Sequence, residues 1–223
     1  MSTGTSTQAE AGWKYLLLAI GAFIGLALEA VIAYFLEPMV YGRQMSVWST
    51  GQSISHWIIT CIIWGFVAFI LIRISKSKAG FNIFTKPEKL NVWQWVIVIV
   101  FVIFAFIMSW TDWKGFKVLS EFYSNGWLKF IFQYIYYVFE TAMFTLIIVF
   151  GQKAFEKWTK IRNFPWGGIL CAVTWGLGHI LSKDSIGTGL LSALLGLMFG
   201  TVYLIVNRDI KKAYVILFLM FVL

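Results

Sequence analysis

The chain has 223 residues, of which 60% are hydrophobic and only 13% are charged, with a mean hydropathy of +0.79. Soluble domains are about 45–50% apolar and about 25% charged, so this composition excludes an ordinary soluble domain. The net charge of +8 does not indicate a nucleic-acid partner, because the basic residues lie in the loops between apolar segments. We therefore expect an integral membrane protein that is surrounded by lipid and binds no nucleic acid.

A short polar N-terminus is followed by seven apolar segments. Residues 1–12 are small and polar, which predicts a disordered tail, and residues 13–223 are predicted to form a single transmembrane domain. The segments at 13–36, 54–74, 92–110, 127–150, 166–181 and 186–206 have roughly the length that crosses a bilayer. The last segment, 213–223, is too short to cross. These lengths predict an all-α polytopic transmembrane helical bundle of six full spans plus a short C-terminal helix.

The basic residues are distributed unequally between the two ends of this bundle. Thirteen of the 18 lie on the side that holds the N-terminus and the even-numbered loops. The positive-inside rule then predicts a cytoplasmic N-terminus, and we expect the protein in a bacterial cytoplasmic membrane. On the opposite side, Asp112 and Glu121 lie between the third and fourth spans, and we expect both to be solvated.

Two ionisable residues, Glu140 and His179, interrupt consecutive predicted spans. A charge within the bilayer is costly, so such groups usually face a bundle interior and often mark a functional site. Glu140 lies about 15 Å from the end of its span and His179 about 20 Å, which places them at similar depths on neighbouring antiparallel helices. The carboxylate is suited to act as a general base on water, and the imidazole to orient that water, bind a metal or stabilise an oxyanion. The alternative is a protonated Glu140 with a purely structural His179.

Three motifs in the second half of the chain resemble the CPBP family of intramembrane proteases, also called the CAAX-protease and bacteriocin-processing (Abi) family. The segment FETAMFT at 139–145 matches the first motif at Glu140, and WGLGH at 175–179 matches the second at His179, with Trp175 in place of Phe. The segment GLMFG at 196–200 matches the small-residue helix that follows. The resemblance covers a core of about 127–223.

This resemblance implies an endopeptidase in which Glu140 activates water and His179 assists, acting on a peptide or a lipid-linked peptide. Other motif positions differ, because Thr141 replaces the second Glu, Thr145 replaces the Arg, and no His follows His179. The alternative is therefore a catalytically inactive relative that acts as an immunity, accessory or scaffold subunit beside a partner membrane protein. A small transporter or channel subunit with Glu140 as a proton relay is a second alternative.

The cofactor is not determined by these patterns, although zinc suits several of the intramembrane side chains. His179 and Glu140 are one candidate ligand pair. Glu29 and His56 lie towards the same side of the bundle as His179, and the three side-chain types would also suit zinc. The GxxxG pairs Gly21/Gly25 and Gly196/Gly200 predict close helix packing, either within the bundle or between copies.

Overall fold

The structure is a computed structural model that describes the backbone of residues 3–84 and 88–223, and the side chains of those ranges from residue 12 onward. Within these ranges it contains helices and no strand. The helices are α1 (Thr3–Val31), α2 (Glu37–Tyr41), α3 (Thr50–Ser77), α4 (Val92–Trp113), α5 (Lys117–Thr159), α6 (Trp166–Cys171), α7 (Leu177–Lys183), α8 (Ile186–Ile205) and α9 (Ile210–Val222). Two π-helical turns, Ile32–Leu36 and Ala172–Gly176, join α1 to α2 and α6 to α7, and a 3₁₀ turn, Met45–Val47, precedes α3.

Five helical segments of the described chain are long and apolar enough to cross a membrane. They are Gly12–Tyr41, Thr50–Ser77, Val92–Trp113, Lys117–Thr159 and Ile186–Ile205. The chain is therefore an all-helical, multi-pass integral membrane protein, as predicted. The fifth predicted span, 166–181, is not among these five, because it is divided into α6, α7 and the π turn between them, and the predicted short last helix corresponds to α9.

The N-terminal segment differs from the expected disordered tail, because the backbone is helical from Thr3 onward. Extending an existing helix by one residue is far easier than nucleating a new one, and the first span provides the nucleus. Met1 and Ser2 lie outside the described residues, so the prediction for them is untested.

Helix α5 forms the centre of the bundle. All ten residues from 143 to 152 are buried, which is typical of a helix that is surrounded on every side. Helix α5 contacts α1, α3, α6 and α9. The Phe144 ring stacks on Phe199 of α8 with ring centroids 4.9 Å apart, and Glu140 lies just before this buried stretch. The first ionisable candidate is thus held by the most enclosed part of the fold.

Glycines allow α8 to lie directly against the α6–α7 segment. A Cβ atom on Gly200 would be 2.2 Å from the Cα of Gly168, and one on Gly176 would be 2.5 Å from the Cα of Ala193. Real Cβ atoms do not approach backbone this closely, so the two helices are in backbone contact. Gly200 therefore acts inside the bundle, which is one of the two roles predicted for its motif.

The segment between α4 and the main part of α5 is not the solvated loop that the sequence predicts. Gly126 has φ 69° and ψ 166°, and the helical turns before it fold back along the turns after it. Glu121 is consequently only 1% exposed and accepts a 2.6 Å hydrogen bond from the Tyr137 hydroxyl. In an unbroken helix, residues 121 and 137 would be about 24 Å apart. The prediction was wrong for Glu121 because nothing in the local pattern reveals this reversal, whereas Asp112 is exposed as predicted.

Asp209 begins α9 by accepting hydrogen bonds from the backbone N–H groups of Lys211 and Lys212. Burial by itself would raise the pKa of Asp209, but the side-chain and backbone hydrogen bonds from Lys212 outweigh it and hold the pKa below its usual value. A carboxyl whose pKa is lower in the folded state stabilises the fold above the unfolded pKa of about 3.9, and this contribution is lost as the pH falls through the folded value.

Asp209→Ala is therefore expected to lower the free energy of unfolding by about 1 kcal/mol near neutral pH, the usual effect of removing a helix cap. Asp209→Asn, which keeps an acceptor at the cap, should cost less. The measurement is reversible SDS unfolding in mixed micelles at several pH values. An equal loss from the Ala substitution at neutral and strongly acidic pH would contradict the role of the ionised carboxylate.

Candidate functional site

Glu140 projects from α5 into the bundle, where a tryptophan of the neighbouring segment contacts it. Its carboxylate Oε1 accepts a 2.9 Å hydrogen bond from the indole Nε1–H of Trp175. Glu140 is 7% exposed, so the carboxyl group is almost completely enclosed. Oε2 accepts no hydrogen bond from any side chain in the described part of the chain. One carboxylate oxygen is thus held by a hydrogen bond, and the other is a free acceptor.

His179 lies one helical turn after Trp175 and contacts the same residue. The His179 Nδ1 atom is 2.8 Å from the backbone carbonyl oxygen of Trp175, and the two rings meet edge to face with centroids 4.7 Å apart. A carbonyl oxygen can only accept, so Nδ1 carries the proton and Nε2 of the neutral ring keeps its lone pair. An imidazole held in this way is oriented to act as a base or as a metal ligand through Nε2.

Trp175 therefore connects the two predicted site residues. It lies in the π turn between α6 and α7, donates to Glu140 through its indole, and accepts from His179 through its carbonyl. The indole is wedged among Phe144, Phe199 and Phe221, with ring centroids 4.9, 5.7 and 5.6 Å away. The structure thus brings Glu140 and His179 to opposite parts of one residue. The sequence treated Trp175 only as a replacement for Phe, although its N–H donor could have indicated a buried polar partner.

Lys117 is a second residue of the site that sequence reasoning missed. It is buried at the start of α5, and its Nζ donates a 2.8 Å hydrogen bond to the backbone carbonyl of Phe221 near the end of α9. The Phe221 and Tyr137 rings lie 4.7 and 5.0 Å from the ammonium group. Phe221 also contacts the Trp175 ring, with centroids 5.6 Å apart. The fold-back at Gly126 thereby places Lys117 one aromatic ring away from Trp175.

The two threonines at the divergent motif positions are also buried in the bundle. Thr141 and Thr145 are at most 2% exposed, and their hydroxyl groups have no hydrogen-bond partner among the described residues. They bring no charge to this part of the bundle.

The other predicted metal-ligand candidates, Glu29 and His56, lie together in a separate cluster. Glu29 Oε1 is 3.5 Å from His56 Nε2, and Glu37 Oε2 is 2.7 Å from His56 Nδ1. Glu37 was not singled out from the sequence, because it lies at the end of the first span beside a proline. His179 packs against Trp175 and not in this cluster. Within the described ranges, no group of three or more His, Cys, Asp or Glu residues could hold a metal ion.

An apolar groove opens between α3 and α5. It has a volume of about 270 Å³ and is lined by Trp57, Ile58, Cys61, Ile62, Gly65, Phe132, Ile135 and Phe139. Phe139 directly precedes Glu140 in the sequence, so the groove runs along the helix that carries the buried carboxylate, although Glu140 does not line it.

Comparison of the chain with protein-family models, with curated proteins and with solved structures finds no match. The site can therefore be interpreted only from its own geometry and from the resemblance of its motifs.

Proposed function

We propose that this protein binds a peptide or a lipid-linked peptide within the bilayer, and that Glu140 and His179 are the polar groups that meet it. The observation that carries the proposal is the Trp175 bridge. One indole N–H fixes Glu140, and the carbonyl of the same residue fixes His179. Two side chains on separate helices are thus oriented by one residue, which is how the supporting contacts of preorganised sites work.

The proposal places the chain as a divergent member of the CPBP-like architecture, with α5 to α9 as its core. In it, the α6–α7 segment counts as a sixth span, although it is interrupted by a π turn. The N-terminus is proposed to be cytoplasmic, because the excess of Lys and Arg lies in the loops predicted on the side that holds the N-terminus.

The chemistry available at the site is that of a general base. Glu140 Oε2 and His179 Nε2 are the two unused acceptors, and either can take a proton from a water that attacks a peptide carbonyl. In this active form the protein is an intramembrane endopeptidase. The apolar groove beside Phe139 would hold the hydrophobic part of the substrate.

An inactive relative is the second candidate, and a specific observation favours it. The Trp175 indole takes one oxygen of Glu140, and the neighbouring motif positions hold two threonines with unpartnered hydroxyls where the resembled motif has charges. A site built in this way can retain a peptide without cleaving it. Accessory or immunity subunits of membrane complexes would need only that retention.

A crosslinking and cleavage assay in proteoliposomes tests the proposal. The probe is a farnesylated pentapeptide that carries a benzophenone group, together with a quenched fluorescent version of the same peptide. Glu140→Gln and His179→Gln are each expected to reduce photolabelling about tenfold, the effect of losing about 1.4 kcal/mol of binding. Glu140→Gln retains an oxygen that accepts from Trp175, so the fold should be preserved.

Glu88→Gln, at an exposed position, is the matched control and should label like the unmodified protein. Fluorescence release that depends on Glu140 would identify the endopeptidase, whereas labelling without release would identify the binding protein. If the probe fails to label the protein, or labels the two site variants as strongly as the control, the proposal is wrong.

A further inference from the structure

A second buried charge cluster lies apart from the Trp175 bridge and is formed by Glu29, His56 and Glu37. Each ring nitrogen of His56 faces a different carboxylate: Nδ1 is 2.7 Å from Glu37 Oε2 and Nε2 is 3.5 Å from Glu29 Oε1. His56 is 3% exposed, and Trp48 covers its ring at a centroid distance of 5.3 Å. The imidazole is thus enclosed between two acids.

The π turn at Ile32–Leu36 places both acids on the same face of the chain. In a regular α-helix, residues eight positions apart differ by about 80° around the axis, so Glu29 and Glu37 would not both face α3. A π turn contains one more residue than an α-helical turn, so residue 37 falls on nearly the same face of the helix as residue 29. Pro38 follows directly, and a helix commonly distorts before a proline because the ring clashes with the carbonyl four residues earlier. The local sequence therefore builds the clamp around His56.

Counting protons shows what this arrangement requires. A neutral imidazole carries one N–H, and an ionised carboxylate can only accept. A neutral histidine between two ionised carboxylates has one N–H proton and can therefore make only one of the two hydrogen bonds. A hydrogen bond at each ring nitrogen requires one additional proton. Without that proton, a nitrogen lone pair would face a carboxylate oxygen in a nearly water-free setting, which is strongly unfavourable.

We propose that Glu29, His56 and Glu37 form a proton-binding site that holds one proton between the two carboxylates and the imidazole. The proton rests on His56, as an imidazolium, or on the carboxylate that then donates to the ring. Glu37 Oε1 supports this assignment, because it is buried and has no hydrogen-bond partner in the described part of the chain. If both carboxylates were ionised with no additional proton in the cluster, this unpartnered oxygen would carry uncompensated negative charge in a buried setting, which is costly.

The geometry favours a proton over a metal ion as the ligand. The two carboxylates lie at opposite nitrogens of one ring, and those nitrogens point in different directions. A metal needs its ligands to converge on one point, and the described residues offer no such convergence here. A proton needs only a donor and an acceptor on one line, which each ring nitrogen provides.

The two contacts differ in a way that indicates how the proton leaves. Glu37 makes the short contact and is buried, whereas the Glu29 side chain makes the 3.5 Å contact and is 32% exposed. We therefore expect the longer and more exposed Glu29 contact to be the first that weakens when the proton is lost.

Every charged or titratable group that faces this site belongs to one of four elements. Glu29 comes from α1, Glu37 from α2, His56 from α3, and Tyr136 from α5. Trp48 from the preceding turn adds an apolar cover, and no cation contacts His56 within the described chain. The carboxylates alone therefore determine how firmly the proton is held.

The proposal is tested by ¹⁵N NMR of the full chain in lipid nanodiscs with labelled histidine. The sequence contains two histidines, so two ring systems are observed, and His56→Asn assigns them. Free imidazole titrates near pH 6.5. At about pH 8 we expect two protonated ring nitrogens for His56, or one together with a carboxylic acid C=O infrared band that disappears in Glu29→Gln or Glu37→Gln. Either pattern places the additional proton in the cluster.

Unfolding in mixed micelles gives an independent readout. The folded state holds a proton that the unfolded chain releases, so stability should fall as the pH rises from about 6 to about 9. Glu37→Gln keeps the shape and an acceptor but removes the charge, and should abolish most of this pH dependence. Glu88→Gln, which is exposed, should retain it. A single protonated ring nitrogen on His56 at about pH 6, with no carboxylic acid band, would overturn the proposal.

Discussion

Gly176→Ala is expected to destabilise the protein by about 3 kcal/mol, the upper part of the usual range for overpacking a core. The added methyl group would lie 2.5 Å from the Cα of Ala193 in α8. The obstructing atoms are backbone, so no rotamer change can relieve the contact and the two helices must separate. Trp175, the residue before Gly176, would move with the π turn and lose its hydrogen bond to Glu140.

Gly178→Ala is the matched control for this substitution. It lies two residues later in the same segment, and a Cβ atom there would have nothing within 4 Å. Its effect should remain within about 1 kcal/mol, the difference in helix propensity between glycine and alanine. The measurement is reversible SDS unfolding, followed by tryptophan fluorescence. Equal effects at the two positions would contradict the backbone contact between the π turn and α8.

Glu121→Leu is expected to lower the free energy of unfolding by about 3–5 kcal/mol, because each buried donor that loses its acceptor costs about 1–3 kcal/mol. The Glu121 carboxylate accepts hydrogen bonds from Gln133, Tyr134 and Tyr137, and each of them would lose this acceptor. The helical turns before Gly126 would then detach from the rest of α5.

Two further variants separate this network from a general effect of charge removal. Glu88→Leu at an exposed position should change stability by less than about 0.5 kcal/mol. Glu121→Gln, which keeps one acceptor oxygen, should lie between the two. A Glu121→Leu protein as stable as Glu88→Leu would show that the segment before Gly126 does not fold back onto α5.

The sequence by itself determined the class of the protein and the extent of most helices. Exposing a long apolar segment to water is unfavourable, and a segment in lipid must satisfy its backbone hydrogen bonds internally by forming a helix. Segment length and hydropathy are therefore enough to predict membrane helices. The third span, predicted at 92–110, is observed at Val92–Trp113. The short connector between the two spans predicted neighbouring helices, and α5 does pack on α6, whereas His179 itself lies on α7 beyond the π turn.

Only the tertiary structure decided which side chains meet. A hydrogen bond between Trp175 and Glu140 joins residues 35 positions apart, and no periodic pattern records such a pair. The burial of Lys117 and Glu121 depends on one positive φ angle at Gly126, and the clamp on His56 depends on a π turn. In each case the conformation of one residue, or one extra residue in a turn, redirects the backbone. Hydropathy is averaged over many residues, so it predicts where the helices lie but cannot detect such a local change.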